Sequence, residues 1–204
     1  MNERELGTVI RLPAGRATAN DHIPLLVRLA RRLESAETID RFAGPARTVS
    51  GALLSSPRRG ALLRGTWQGH ALHPVLTDLP IGAWTVVWAL DLSGWRAARP
   101  VAERILAAGL VSAVPTVVTG LAEWGGLRAA DQRVGLVHAG GNLAAVGLYG
   151  ASWHARRTGH HGRGVALGMI GATVATAAGY LGGHLAHARK VSSRHPSFDH
   201  DALR

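Results

Sequence analysis

"GHALHPVLTDLPIGAWTVVWALDL", Gly69 to Leu92, is the stretch on which the fold turns. It opens with His70, His73 and Pro74, carries Asp78 and Pro80 inside, and is otherwise apolar. A helix needs roughly 20 mostly apolar residues to cross about 30 Å of hydrocarbon. Pro74–Leu92 meets that requirement with only Asp78 and Asp91 charged. Three more stretches follow: residues 101–122, charged only at Glu103 and Arg104 near the start, and residues 134–153 and 164–186, which contain no Asp, Glu, Lys or Arg. A soluble helical core would show shorter, amphipathic helices instead. The sequence therefore predicts an all-α fold: a four-transmembrane-helix bundle, up-down-up-down, preceded by an amphipathic helical segment.

Composition agrees. The chain of 204 residues carries a net charge of +10, yet its mean hydropathy is +0.09, so charged and apolar residues are segregated along it. The absence of Cys excludes disulfides, iron–sulfur clusters, thiolate zinc sites and thiol nucleophiles. Trp67, Trp95, Trp124 and Trp153 fall near the span ends, where indoles favour the headgroup level, whereas Trp84 and Trp88 lie inside the first span. Gly164 with Gly168, and Gly179 with Gly183, lie four apart, a spacing that lets helix backbones approach closely. Such Gly/Ala-rich faces suit bundle packing or an oligomer. Pro80 and Pro115 should each open a helical turn and free a carbonyl for another donor.

Short connections make the spans alternate in direction. That topology gathers His70, His73, Asp78, Glu123, His138, His184 and His187 at the end of the bundle where both termini lie. Ionisable groups inside a membrane boundary are costly unless paired or bound, which marks them as candidate functional residues. Asp78 and His138 lie deepest, with Asn142 one turn beyond His138.

The quoted stretch, together with "TGLAEW" (Thr119–Trp124), "GLVHAGGNLAAVGLY" (Gly135–Tyr149) and "GYLGGHLAH" (Gly179–His187), resembles a bacterial membrane family known only as domain of unknown function 2231. Its members typically show a Gly-His-Pro-Leu-His-Pro opening, a Thr-Asp-Leu-Pro continuation, a third-helix histidine and a Gly-Gly-His near the end of helix four. Some carry a Rieske-type iron–sulfur domain after the bundle, so the resemblance implies a redox setting. Here Ala71 stands where the family often has Pro, and the Cys-free tail from Arg189 cannot hold a cluster, so a redox partner would be a separate protein.

Several chemistries suit the gathered residues. His73, His138 and His184 are candidate ligands for haem b. Alternatively His70, His73, Asp78, His138, His184 and His187 offer ligands to a transition metal, supported by Asn142, Glu123 and Thr77. Histidine with a carboxylate such as Asp78 can also relay protons, and a cofactor-free structural or assembly role stays open. No enzyme motif is present: no His-Glu-x-x-His, no phosphate loop, and no base beside Thr77, Thr116 or Thr119.

Residues 1–69 form the N-terminal segment, 70–188 the transmembrane domain and 189–204 a short polar tail. Leu25, Leu26, Leu29 and Leu33 share one face of a helix starting after Pro24, with Arg28, Arg31 and Arg32 elsewhere. That helix is suited to an anionic membrane surface or to the bundle end. Phospholipid headgroups account for the basic balance, and no nucleic-acid module appears. The first fifteen residues lack a signal-peptide core, from which both termini are expected in the cytoplasm; the resemblance implies a bacterial inner (plasma) membrane.

Overall fold

A computed structural model describes residues 23–195 and Ser197. The expectation for the first fifteen residues lies outside them, as does most of the tail after His195. The described chain is helical: α1 (Leu25–Ser35), α2 (Gly44–Leu54), α3 (Pro57–Arg64), α4 (Leu72–Leu92), α5 (Arg99–Trp124), α6 (Ala129–Arg157) and α7 (His161–Gly183). A 3-10 segment, Glu37–Phe42, joins α1 to α2, and a π-helical turn, His184–Ala188, extends α7. Among the described residues there is no strand, only an isolated antiparallel bridge between His70 and Arg194.

Among the described residues, three helices are long and apolar enough to cross a membrane: Leu72–Leu92, Arg96–Trp124 and His161–Ala188. The sequence reading counted four. The remaining one, α6, has 29 residues, about 43 Å of helix, but His138, Asn142 and five glycines dilute its apolar character. Most outward-facing side chains on the long helices are apolar, with Leu79, Ile81, Val111, Val114, Leu143 and Ile170 all exposed, although Asp78 of α4 is exposed as well. A belt of this kind on several helices is what a hydrocarbon environment stabilises.

Side-chain contacts fix the arrangement. Within one hairpin, Trp84 meets Gly109 and His73 meets Gly120, so α4 and α5 run antiparallel. Within the other, Tyr149 meets Gly171 and His138 meets Gly182, so α6 and α7 do the same. Between the hairpins, α4 and α6 run parallel and touch in three layers: His73 with His138, Trp84 with Tyr149, and Asp91 with Arg156, always 65 residues apart. The hairpins are thus related by a pseudo-two-fold axis along the bundle, an arrangement known for parallel repeats in membrane proteins. The layer residues recur after eleven and then seven positions, close to three and two helical turns, and so stay on one face.

Trp84 and Tyr149 stack at 4.1 Å between ring centroids. With Val87, Ala102, Leu106, Ala113 and Ala145 they form the apolar core at mid-height. Pro80 behaves as expected: lacking an N–H, it leaves the Leu76 carbonyl open, and the Thr116 hydroxyl of α5 donates to it at 3.1 Å. Gly164 and Gly168 also behave as expected, lying against Ser152 and Arg156 of α6, whereas Gly179 and Gly183 meet nothing. Trp67 and Trp95, each 65% exposed, suit an interfacial belt. Trp124 does not, because it is 5% exposed and donates Nε1–H to the Gln132 carbonyl at 2.8 Å.

The N-terminal helices cap the histidine end, α1 on α6 and both α2 and α3 on α5. Polar contacts hold the cap. Arg133 donates to both Asp40 carboxylate oxygens, at 3.0 and 2.8 Å, and to the Glu34 carbonyl at 2.9 Å. Arg189, which pairs within the bundle with the buried Asp131 at 2.7 Å, also meets Glu34 of the cap at 3.5 Å, and Arg64 donates to the Ala122 carbonyl at 3.2 Å. Between α3 and α4 the chain crosses itself at Gly65, whose φ of 71° is left-handed. A Cβ there would meet the His70 carbonyl at 2.5 Å, so only glycine fits.

Candidate functional site

His73 and His138 face each other across the pseudo-two-fold axis. Their ring centroids lie 6.4 Å apart, with the planes nearly perpendicular at 88°. His73 stands in the first turn of α4 and His138 in the third turn of α6. Each ring lies over a glycine of its own hairpin partner: ideal Cβ atoms on Gly120 and Gly182 would both come within 2.7 Å of the respective Cε1. Each Nδ1 also meets a backbone carbonyl, Thr116 at 2.9 Å for His73 and Ala178 at 2.8 Å for His138. Because a carbonyl only accepts, Nδ1 carries the proton in both rings, and Nε2 keeps its lone pair. That second bond, which fixes the tautomer and ring orientation, is the usual environment of a ligating histidine.

Asn142 sits beside this pair. Its Nδ2 lies 3.3 Å from both nitrogens of His138, and so over the ring face rather than along either lone pair. Its well-formed bond is to the His138 carbonyl at 2.9 Å, one turn back in the same helix.

The other sequence-predicted residues take different places. His184 leaves the pair and bonds Glu34 of the cap through Nε2 at 2.8 Å. His70 lies before α4, its Nδ1 3.2 Å from the Ala71 carbonyl and its backbone bridged to Arg194. His187 is exposed in the π-helical turn, and Asp78 is exposed on the outer face of α4. Thr77 donates its hydroxyl to the Pro74 carbonyl. Glu123 accepts the Ser193 N–H on Oε2 at 3.0 Å and buries Oε1 without a partner. Topology does bring these groups to one end, but as separate contacts. Among the described residues no group of three or more His, Cys, Asp or Glu is placed to hold a metal ion.

Two features escaped sequence reasoning. One is the ionic layer at the opposite end, where Arg156 donates to both oxygens of Asp91 at 2.9 and 2.6 Å; the side chains are 3% and 6% exposed. The other is the internal repeat. It was legible in principle, because His73, Gly82, Trp84 and Trp88 match His138, Gly147, Tyr149 and Trp153 at one spacing.

Comparison with known proteins follows the same boundaries. Residues 69–195, more than half of the chain, match the family described as "Predicted membrane protein (DUF2231)". No curated protein and no solved structure matches. The matched region starts at the loop before α4 and runs through the strap that returns from α7 to Gly69. On that match the chain belongs to the DUF2231 family of membrane proteins.

Proposed function

We propose that the protein is a four-span membrane protein of the bacterial inner membrane that carries single electrons on a haem b, which His73 and His138 would hold. The observation carrying this reading is the geometry of the two rings. A metal–nitrogen bond of about 2.0–2.1 Å on either side of one ion separates imidazole centroids by about 6 Å, and these centroids are 6.4 Å apart. Haem supplies four ring nitrogens of its own and asks the protein for only two. The residues fit that demand better than they fit a bare transition metal, since His184, His70, His187 and Asp78 are engaged or face elsewhere. Bound there, haem would supply reversible one-electron chemistry.

The chain's own residues perform the positioning. Thr116 and Ala178 hold the rings by their Nδ1–H groups, and Gly120 and Gly182 give the rings room. Proton relay through Asp78 has less support, because its side chain lies on the outer face. Crossing by α6 is supported by its length and by its packing along α5 and α7. Its polar His138 and Asn142 are partly buried rather than turned outward. The cap lies over the histidine end, with Leu25, Leu26 and Leu29 exposed at the level of the span ends. We place that end in the cytoplasm with both termini, and a separate redox protein as the electron partner.

Purified protein should show a Soret band that shifts on dithionite reduction. His73→Ala and His138→Ala should each abolish it, and His184→Ala should leave it intact. A spectrum without haem after expression with ample haem supply would leave the structural alternative ahead.

A further inference from the structure

At the histidine end, the seam between the start of α4 and the end of α7 is only lightly packed and widens into an open groove of about 370 Å³. That is room for roughly a dozen waters. Val75 and Ala186 form an apolar wall, and His70, Lys190, Ser192 and Arg194 line the polar mouth. Below it, Val75 and Leu79 are exposed along α4. Polar chemistry thus sits where the Leu72–Leu92 and His161–Ala188 spans end, and the surface running from there along α4 is apolar at Val75 and Leu79, with the Asp78 carboxyl exposed between them.

The backbone of Lys190 supplies an independent observation. Its φ of 53° is the single positive value among described non-glycine residues. The position follows the π-helical turn, where Arg189 N–H bonds the His184 carbonyl and Val191 N–H bonds the Leu185 carbonyl. Helices commonly finish this way, and glycine is the residue that does so without strain. A lysine here accepts strain that glycine would avoid, and it is one of the residues that line the groove.

We infer that this groove holds the phosphate headgroup of an acidic phospholipid, with its acyl chains lying along the α4–α7 seam. Lys190 is the principal charge contact, the serine groups supply neutral donors, and Val75 with Ala186 contacts the glycerol and first methylenes. Basic pockets between transmembrane helices at the headgroup level favour such lipids, each cation contributing about 1 kcal/mol, or roughly five-fold in retention. The inference does not depend on haem binding.

The test is native mass spectrometry of the full chain, released from a non-ionic detergent after exposure to equal amounts of phosphatidylglycerol and phosphatidylcholine. Wild type should retain phosphatidylglycerol about five-fold over phosphatidylcholine. Lys190→Glu should bring retention to parity, and Arg163→Glu at the far end should leave the preference intact. Lys190→Gly separates binding from folding, because it should lose the preference while unfolding at a higher temperature. Equal retention of the two lipids by wild type, or an unchanged preference in Lys190→Glu, would overturn the assignment. Displacement of the lipid by millimolar inorganic phosphate would also overturn it, in favour of a free-phosphate site. Loss of haem absorbance in Lys190→Glu with the lipid preference intact would instead give the groove to a haem carboxylate.

Discussion

The α4–α5 and α6–α7 hairpins place a histidine and an aromatic residue at matching heights, and they differ in how each accommodates its own ring. Trp84 presses on Gly109, where an added Cβ would come within 2.8 Å of the indole Cδ1 and 3.2 Å of the Ala83 Cβ. Tyr149 rests on Gly171, where an added Cβ would make ordinary contacts of 3.5 Å with its ring and 3.4 Å with the Leu148 Cβ. The first hairpin opens α4 at Pro80 and repairs it with Thr116; the matching positions in the second are Ala145 and Ala178, where no repair is required. At the third layer the symmetry has to break, since two like charges on the axis would repel. Asp91 stands opposite Arg156 instead. Repetition therefore fixes where the layers lie, and divergence within each layer decides what holds it.

The ionic layer gives the largest effect by which this comparison can be broken. Removing one partner of a buried pair strands the other charge, at a cost of about 3–5 kcal/mol. Asp91→Ala and Arg156→Ala should each lower thermal stability in detergent by that order. The double variant Asp91→Leu with Arg156→Met should recover most of it, because apolar groups of similar size incur no desolvation penalty. Single variants costing less than about 1 kcal/mol would mean a solvated pair of the surface kind, and the hairpins would then not be locked at this end.

A smaller effect sharpens the same comparison. Gly109→Ala forces the indole or α5 to move and should destabilise by about 1–3 kcal/mol. Gly171→Ala meets only ordinary contacts and should be neutral, or stabilising by up to about 1 kcal/mol through the helix preference of alanine. Unfolding midpoints of the two variants measure the difference. Equal losses would show that both aromatic rings are packed alike.

Much of this architecture was legible in the sequence because hydrophobic length and short loops are local properties. The spans, their alternation and the gathering of histidines at one end all follow from them. Which histidines meet is a rotational property, set by the face each one occupies. His73 and His138 share the inner face, whereas His184 lies beyond them and reaches Glu34 in the cap, 150 residues away in sequence. Nothing in the chain near His184 announces that partner. Asp78 misled for a related reason: depth along a helix says nothing about direction, and this carboxyl points outward. Trp124 looked interfacial by position, but its N–H bond to Gln132 turns it inward. The axial pairs were visible as a repeat at constant spacing, a signal that a search for spans alone passes over.

The cap differs from the bundle in that its docking rests on polar contacts at the surface, so acidity should loosen it first. Arg133, donating to both oxygens of Asp40, holds that carboxyl below its ordinary value of 3.8; burial acts in the opposite direction and is outweighed. A carboxyl depressed in the folded state contributes stability that is complete above its ordinary value and is lost as pH falls through the depressed one. Pepsin is active in acid and can cut at Leu33 or Phe42, which makes it a convenient probe. As pH falls below about 3.8, cleavage of wild type at these residues should rise toward that of Asp40→Asn measured at the same pH, before the bundle is attacked. Asp40→Asn should show the loosened pattern above that value as well, because it cannot form the charged fork at any pH. A ratio of wild-type to Asp40→Asn cleavage that does not change with pH would mean that the carboxylate fork does not hold the cap, leaving Glu34 and its contacts to His184 and Arg189 as the attachment.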